Sequence, residues 1–224
     1  MKVTRREALL MIGFGLLGCQ TAIEREVTPS PVGEIPLPTP TQRGEVPLEE
    51  VLTRRRSIRE LKEEGLTWVE ISGLLWAGQG VTDPRGFRTA PSAGALYPLE
   101  LYVATGEGVY HYSPQSHTLA MLSPEDRRLG LWEAGLMQDA LREAPAIIVV
   151  AGVYARTEAK YGTRAERYVR LEAGHAAQNI LLQATALDLG AVPIGAFYDQ
   201  EVQEVLALPS DHEPLYLIPV GHPR

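Results

Sequence analysis

Apolar residues recur at helical spacing late in the chain. Val169, Ala173, Ala177, Ile180, Ala184 and Leu187 fall on one face of a helix predicted over 165–189, with Gly190 ending it. Ala146–Val153 is a continuous apolar run, the pattern of a central strand buried on both faces. Leu99–Thr105 reads as a strand, and Val109–Tyr112 with Leu119–Leu122 as a hairpin on the same sheet. Thr67-Trp68-Val69-Glu70 is a capping box that opens a helix to about Ala77, and Pro47 opens a shorter one to about Arg55. Ser123-Pro124-Glu125-Asp126 caps a helix predicted to reach Glu143. A strand over Ala191–Phe197, a short helix capped by Asp199 and a strand over Leu215–Val220 close the chain. The order predicts an α+β domain over 47–224: a mostly antiparallel sheet flanked by helices, with one long core helix. Trp68, Trp76 and Trp132 stand at apolar helical positions and read as core.

The pattern before residue 47 is different. Lys2, Arg5 and Arg6 precede an apolar run from Ala8 to Leu17, about ten residues where a helical span needs about 20. A basic start with a short apolar core is an export signal. Thr4-Arg5-Arg6 resembles a twin-Arg signal, and Leu16-Leu17-Gly18-Cys19 resembles a bacterial lipoprotein box, in which Cys19 is acylated. Residues 1–19 are thus expected to be an export and lipidation signal that places the protein on the membrane in the cell envelope. Gly13, Gly15 and Gly18 match the spacing of a dinucleotide fingerprint, but they sit inside this signal with no strand before them. Residues 20–46 carry Pro29, Pro31, Pro36, Pro38 and Pro40 and read as a semi-rigid linker, or else as an arm laid on the domain or on a partner.

Composition narrows the function classes. A net charge of −7 over 224 residues offers no basic field for nucleic acid. Cys19 is the one cysteine, so no disulfide framework or cysteine zinc site can form within the chain. No two of the five histidines stand three or four apart, so helical His-pair metal spacing is absent. Glu172 and His175 do stand three apart on the core helix, where seam packing is a simpler reading than metal ligation.

Three segments carry candidate chemistry. Arg54-Arg55-Arg56-Ser57-Ile58-Arg59 ends the first helix; guanidinium forks and a hydroxyl suit a phosphate monoester, and they also suit the negative end of a helix dipole. Arg88–Pro98, with Pro91, Ser92 and Gly94, is a rigid loop of low bulk that lets backbone approach a flat ligand. Pro193-Ile194-Gly195-Ala196 offers the same close approach with a free N–H.

Taken in order, Arg55-Arg56-Ser57-Ile58-Arg59, Pro91–Pro98, Arg167–Asn179, Val192–Phe197 and Val220-Gly221-His222-Pro223 resemble the nitroreductase-like flavoproteins. Within them the resemblance is to the SagB-type branch, related to thiazoline and oxazoline dehydrogenases. It implies FMN held without a covalent bond at a homodimer interface. Carried over by position, Arg55, Arg56, Ser57 and Arg59 would hold the phosphate and ribityl chain. Pro91, Ser92 and Gly94 would border the ring, and Pro193, Ile194, Gly195 and Ala196 would lie along it. Arg224 stands near where relatives place a late basic residue on the phosphate.

The same resemblance assigns Lys160 and Tyr161 to substrate deprotonation, with hydride passing through flavin N5. A lysine base needs burial or a neighbouring cation, for which Arg156, Arg164 and Arg167 are at hand. The implied function is an FMN-dependent oxidoreductase acting on a small molecule or an azoline-type substrate, although an exported enzyme is badly placed for peptide maturation beside a ribosome. A lipid-anchored binding module without catalysis is the alternative.

Overall fold

The computed structural model describes residues 33–224, so the expected export signal, Cys19 and most of the expected linker lie outside the described residues. Seven strands form one sheet: β1 (Glu34–Pro36), β2 (Leu99–Thr105), β3 (Gly108–Ser113), β4 (Thr118–Ser123), β5 (Ala146–Gly152), β6 (Gly190–Ala191) and β7 (Glu213–Gly221). Their order is β1-β4-β3-β2-β5-β7-β6, and every neighbouring pair is antiparallel. The helices are α1 (Leu48–Arg54), α2 (Trp68–Gln79), α3 (Arg128–Ala134), α4 (Asp139–Arg142), α5 (Tyr154–Tyr161), α6 (Ala165–Ala186) and α7 (Asp199–Leu206). This is the α+β architecture expected.

The sheet has a core on each face because strand side chains alternate. Ile148 and Val150 of β5, with Leu101 and Val103 of β2, pack under α2 and α6. Ile147, Val149 and Ala151, with Tyr102 and Ala104, pack on the other face under α3, α4 and α7. All seven residues of β5 are buried, which is why its apolar run has no polar phase. The capping box of α2 forms in full: Glu70 N–H donates to Thr67 Oγ1 at 3.3 Å and Thr67 N–H to Glu70 Oε2 at 2.7 Å. Pro47 takes the N-cap of α1, one residue earlier than expected.

Several sequence expectations change. The helix predicted over 123–143 is two short helices. The first has Arg127 at its N-cap with no side-chain cap, Asp126 accepting Arg128 N–H at 3.0 Å from the turn before it, and the chain then reverses at Leu136 and Met137, with φ of 59° and 53°. The core helix ends at Ala186; Asp188 takes the left-handed position, with φ of 56°. Gly190 instead begins β6, where a Cβ would stand 2.7 Å from Ile58 Cγ2. The strand predicted over Ala191–Phe197 shrinks to Gly190–Ala191 and a lone bridge from Ile194 to Leu217, since Pro193 between them has no N–H for a ladder. Trp68, Trp76 and Trp132 are half-buried, at the margin of the core.

Residues 34–38 are not a free tether. Strand β1 pairs with β4, Leu37 is buried, Leu37 N–H donates to His117 O at 3.1 Å and Ser72 Oγ to Pro38 O at 2.6 Å. The proline content masked this, yet Glu34-Ile35-Pro36 sits on a sheet edge, where proline is tolerated.

Candidate functional site

The arginine segment leaves the C-terminus of α1 and runs beside β6, with Ile58 N–H on Ala191 O at 3.1 Å and Ser57 bridged to Ala191. The four arginines divide by what they touch. Arg54 is tied to Asp188 and to Glu50. Arg56 turns back and donates through Nη1 to the carbonyls of Thr53 and Arg55, at 2.9 and 2.7 Å, a cap on the helix end. Arg55 and Arg59 have no acidic partner among the described residues. The C-terminus is stitched alongside: Lys62 N–H donates to His222 O at 2.8 Å and Arg224 N–H to Glu60 O at 3.2 Å. Arg59, Arg224 and Ile194 therefore line one cavity of about 530 Å³, with Gln138 and Glu143 on its wall. Arg224 lies 3.5 Å from Glu143 there.

The 193–196 segment is anchored at one residue. Ile194 exchanges two backbone bonds with Leu217, at 2.8 and 2.9 Å, and buries its side chain. Gly195 and Ala196 then stand exposed, and Gln138 Nε2 donates to Ala196 O at 2.9 Å. A Cβ on Gly195 would meet one atom within 4 Å, Tyr216 Cε1 at 3.9 Å, so the backbone there faces open space. A depression of about 290 Å³ opens beside it, walled by Arg170 and Ala173 of α6 and by Tyr216.

The third segment meets the predicted Lys-Tyr pair. Lys160 and Tyr161 end helix α5, of whose residues Thr157 alone is buried. Lys160 Nζ and Tyr161 Oη converge on Gly94, 2.8 and 2.9 Å from where a Cβ would be. Arg156, expected as a cation beside Lys160, is committed elsewhere, to Glu100 at 2.5 Å and to Tyr97 O at 3.2 Å. The loop that carries Gly94 is strained. Ala95 and Tyr97 hold φ of 54° and 48°, at roughly 1–2 kcal/mol each for a non-glycine residue. It is held by Tyr97 N–H on Ser92 Oγ at 2.9 Å, by Arg88 N–H on Tyr97 Oη at 3.1 Å, and by the Arg88 guanidinium 4.7 Å above the Tyr97 ring. Ser92 is half-buried and Pro91 exposed.

Glu172, read from the sequence with His175 as seam packing, is placed elsewhere by the fold. It lies on the inner face of α6, 2% exposed, under this loop. Its Oε1 has no hydrogen-bond partner among the described residues. Burial pushes its carboxyl up to about 7, against a hydrogen bond from Ser92 and the charge of Arg88. Burial likewise lowers Arg88, whose Nε is also unpartnered. A carboxylate in phase with Val169, Ala173 and Ala176 was the signal available. His175, paired with Glu172 by spacing, is exposed. No hydrogen bond among the described residues joins the Gly94 loop to the 193–196 segment, so one chain brings its candidate residues together in separate groups.

A family model described as the nitroreductase family matches residues 52–222. A Methanocaldococcus jannaschii protein provisionally described as a nitroreductase is 47% identical over 183 residues, covering 79% of this chain and 91% of that one. The crystal structure of a protein given the same provisional description from Ralstonia eutropha superposes with a TM-score of 0.76 at 28% identity, over 89% of this chain and 96% of that one. A Bacteroides thetaiotaomicron structure, provisionally described as an NADH dehydrogenase/NAD(P)H nitroreductase, gives 0.59 at 26% identity, over 79% and 86%.

Proposed function

The chain belongs to the nitroreductase family of oxidoreductases, and from that premise we propose that it is an FMN enzyme of the SagB type, held on a membrane by a lipid on Cys19. The observation that carries the flavin reading is Arg59 and Arg224 on one cavity wall with Ile194, beside the open backbone of Gly195. Guanidinium groups fit a phosphate monoester, and Arg59 has no ion-pair partner among the described residues although Glu60, Asp139 and Glu143 line the same cavity; exposed amides over open space fit the edge of a flat ring. Arg55, Ser57, Arg59 and Arg224 would hold the phosphate and ribityl chain, while Arg56, expected beside them, folds back on the carbonyls of Thr53 and Arg55. Pro193, Ile194, Gly195 and Ala196 would lie along the ring, and Pro91, Ser92 and Gly94 would border it. When bound, FMN supplies a hydride-carrying N5, which the side chains of this protein cannot provide.

Lys160 and Tyr161 are the groups we assign to the proton. Their meeting at Gly94 supports the SagB-type reading, in which a substrate bound over that loop loses its proton to one of them. The substrate is a small molecule or an azoline-type ring. Reduced nicotinamide is the donor to test first, on the description of the Bacteroides relative. The domains are 1–19 as export and lipidation signal, 20–46 as linker with its end laid on the sheet, and 47–224 as the flavin domain. We assign a homodimer, which would bring the separate residue groups of two chains to one flavin.

The purified protein is expected to be yellow and to release FMN, not FAD, on denaturation. Arg55→Ala with Arg59→Ala removes charge-assisted bonds of about 1.5–3 kcal/mol each and should empty the site. Full flavin occupancy in the double variant would overturn the assignment.

A further inference from the structure

We propose that Arg156 is a positioning residue of the site: aimed by Glu100, it fixes the Gly94 loop to helix α5 in the register that sets Gly94 against Lys160 and Tyr161. The inference rests on the reading of Lys160 and Tyr161 as the groups that handle the proton. Arg156 and Lys160 stand four apart on α5, so their side chains leave one face of the helix a turn apart. The loop meets that face at two points. At Tyr97 its carbonyl accepts from Arg156 Nη1 at 3.2 Å. At Gly94 the ends of Lys160 and Tyr161 close on the backbone, 2.8 and 2.9 Å from where a Cβ would be. The first contact is a directed hydrogen bond and the second an approach without one, so the first sets the second.

The loop needs a hold from outside. It passes through left-handed backbone at two non-glycine residues, Ala95 and Tyr97. Its own bonds, Ala95 N–H to Ser92 O at 3.1 Å and Tyr97 N–H to Ser92 Oγ at 2.9 Å, close the turn without fixing where it sits against α5. Among the described residues, two hydrogen bonds join residues 91–98 to that helix and its N-cap: Arg156 to Tyr97 O, and Val153 N–H to Pro98 O at 2.8 Å. The second lies where the loop runs into β2, so Arg156 is the side chain of α5 that reaches the loop itself. Its aim is fixed from the sheet. Arg156 Nη2 pairs with Glu100 Oε1 at 2.5 Å, and Glu100 Oε2 is bound by His111 Nε2 at 2.7 Å. The His111 ring is stacked in turn on Tyr102, 4.6 Å between centroids. The Glu100 side chain is 12% exposed and both its oxygens are engaged, so the pair is screened less than a surface one. One planar guanidinium thus ties strand, loop and helix through two different nitrogens, which the single point charge of a lysine does not reproduce.

Arg156→Lys keeps the charge and loses the fork; Glu100→Gln keeps the shape and loses the charge that aims it. Amide hydrogen exchange on the full chain, corrected for intrinsic rates, reads the clamp without any need for bound flavin. Protection of the Ala95 and Tyr97 amides should fall roughly tenfold in Arg156→Lys, and should fall also in Glu100→Gln, while the amides of β5 keep theirs. Turnover of a nitroaromatic with reduced nicotinamide should drop roughly tenfold in Arg156→Lys. Added to Lys160→Ala with Tyr161→Phe, the same substitution should cost nothing more, because a residue that acts through the pair has nothing to act through once the pair is gone. Unchanged loop protection in either single variant, a loss shared equally by β5, or an undiminished effect of Arg156→Lys in the background without the pair would each overturn the proposal. Wild-type turnover in Lys160→Ala with Tyr161→Phe, alongside the local loss of protection in Arg156→Lys, would instead refute the proton reading and leave the clamp.

Discussion

Gly94 has a φ of 65°, and the space a side chain would fill is taken by the ends of Lys160 and Tyr161. An alanine there pushes on flexible tips, not on backbone, so the direct steric cost is small, and the left-handed conformation adds about 1–2 kcal/mol. Gly94→Ala should therefore lower turnover at least tenfold while melting within several degrees of the wild type, measured by NADH oxidation with a nitroaromatic acceptor and by calorimetry. Equal activity with unchanged stability would remove Lys160 and Tyr161 from the chemistry. Glu172 gives a prediction of stability against pH. Its folded carboxyl sits near 7, above its ordinary value, so between about pH 4.5 and pH 7 the unfolded chain has lost a proton that the folded chain keeps. Stability from this group is full below that window and gone above it. Glu172→Gln should melt like the wild type near pH 5 and be more stable near pH 8, by on the order of 1–3 kcal/mol. The arginines were legible as a cluster, but their division was not. Arg54 and Arg56 serve the helix end, while Arg59 meets Arg224 only because the C-terminus pairs with residues 60–62.

The elements that could be read were those whose signal is local. The box at Thr67 and Glu70 names its own hydrogen bonds, and Leu99–Thr105 has the bounds predicted. Helix α2 is a place to measure that local signal. Thr67→Ala should cost about 1 kcal/mol in denaturant unfolding, typical of a lost N-cap, with no effect on any site residue. The elements that could not be read depend on partners far along the chain. Strand β1 exists because β4 offers an edge and because Ser72 and His117 hold the carbonyl of Pro38, at 2.6 and 3.1 Å. Helix α5 is short and mostly polar, and it packs on α6. The burial of Glu172 under the Gly94 loop was hidden for the same reason. A carboxyl on an apolar face reads as a flaw until the loop above it is known.

At the scale of the molecule, a set of exposed apolar side chains and one length bear on the proposed function. The side chains are uncovered in a single chain. Leu48 and Leu52, one turn apart on α1, are 59% and 52% exposed, and Leu171 on α6, against which α1 packs, is 53% exposed. If the proposed homodimer covers them, Leu48→Asp with Leu52→Asp should give monomers by light scattering and lose flavin with the interface. The length is that of the tether. A linker running freely from Cys19 to α1 would extend up to roughly 100 Å at about 3.5 Å per residue. With residues 34–38 bound on the sheet edge, the span from Cys19 to Gly33 is at most about 50 Å. A lipid on Cys19 would thus keep the flavin domain close to the membrane, near membrane-borne donors, and Cys19→Ala separates this claim from every claim about the site. Cys19 precedes in sequence every residue of the two described cores and of the candidate groups, so the variant should fold, dimerise and hold flavin as the wild type does. It should appear in the soluble fraction of the native host, where the wild type sediments with membranes; a wild type whose mass shows an intact Met1 or an unmodified Cys19 would end the lipoprotein assignment and leave the oxidoreductase standing.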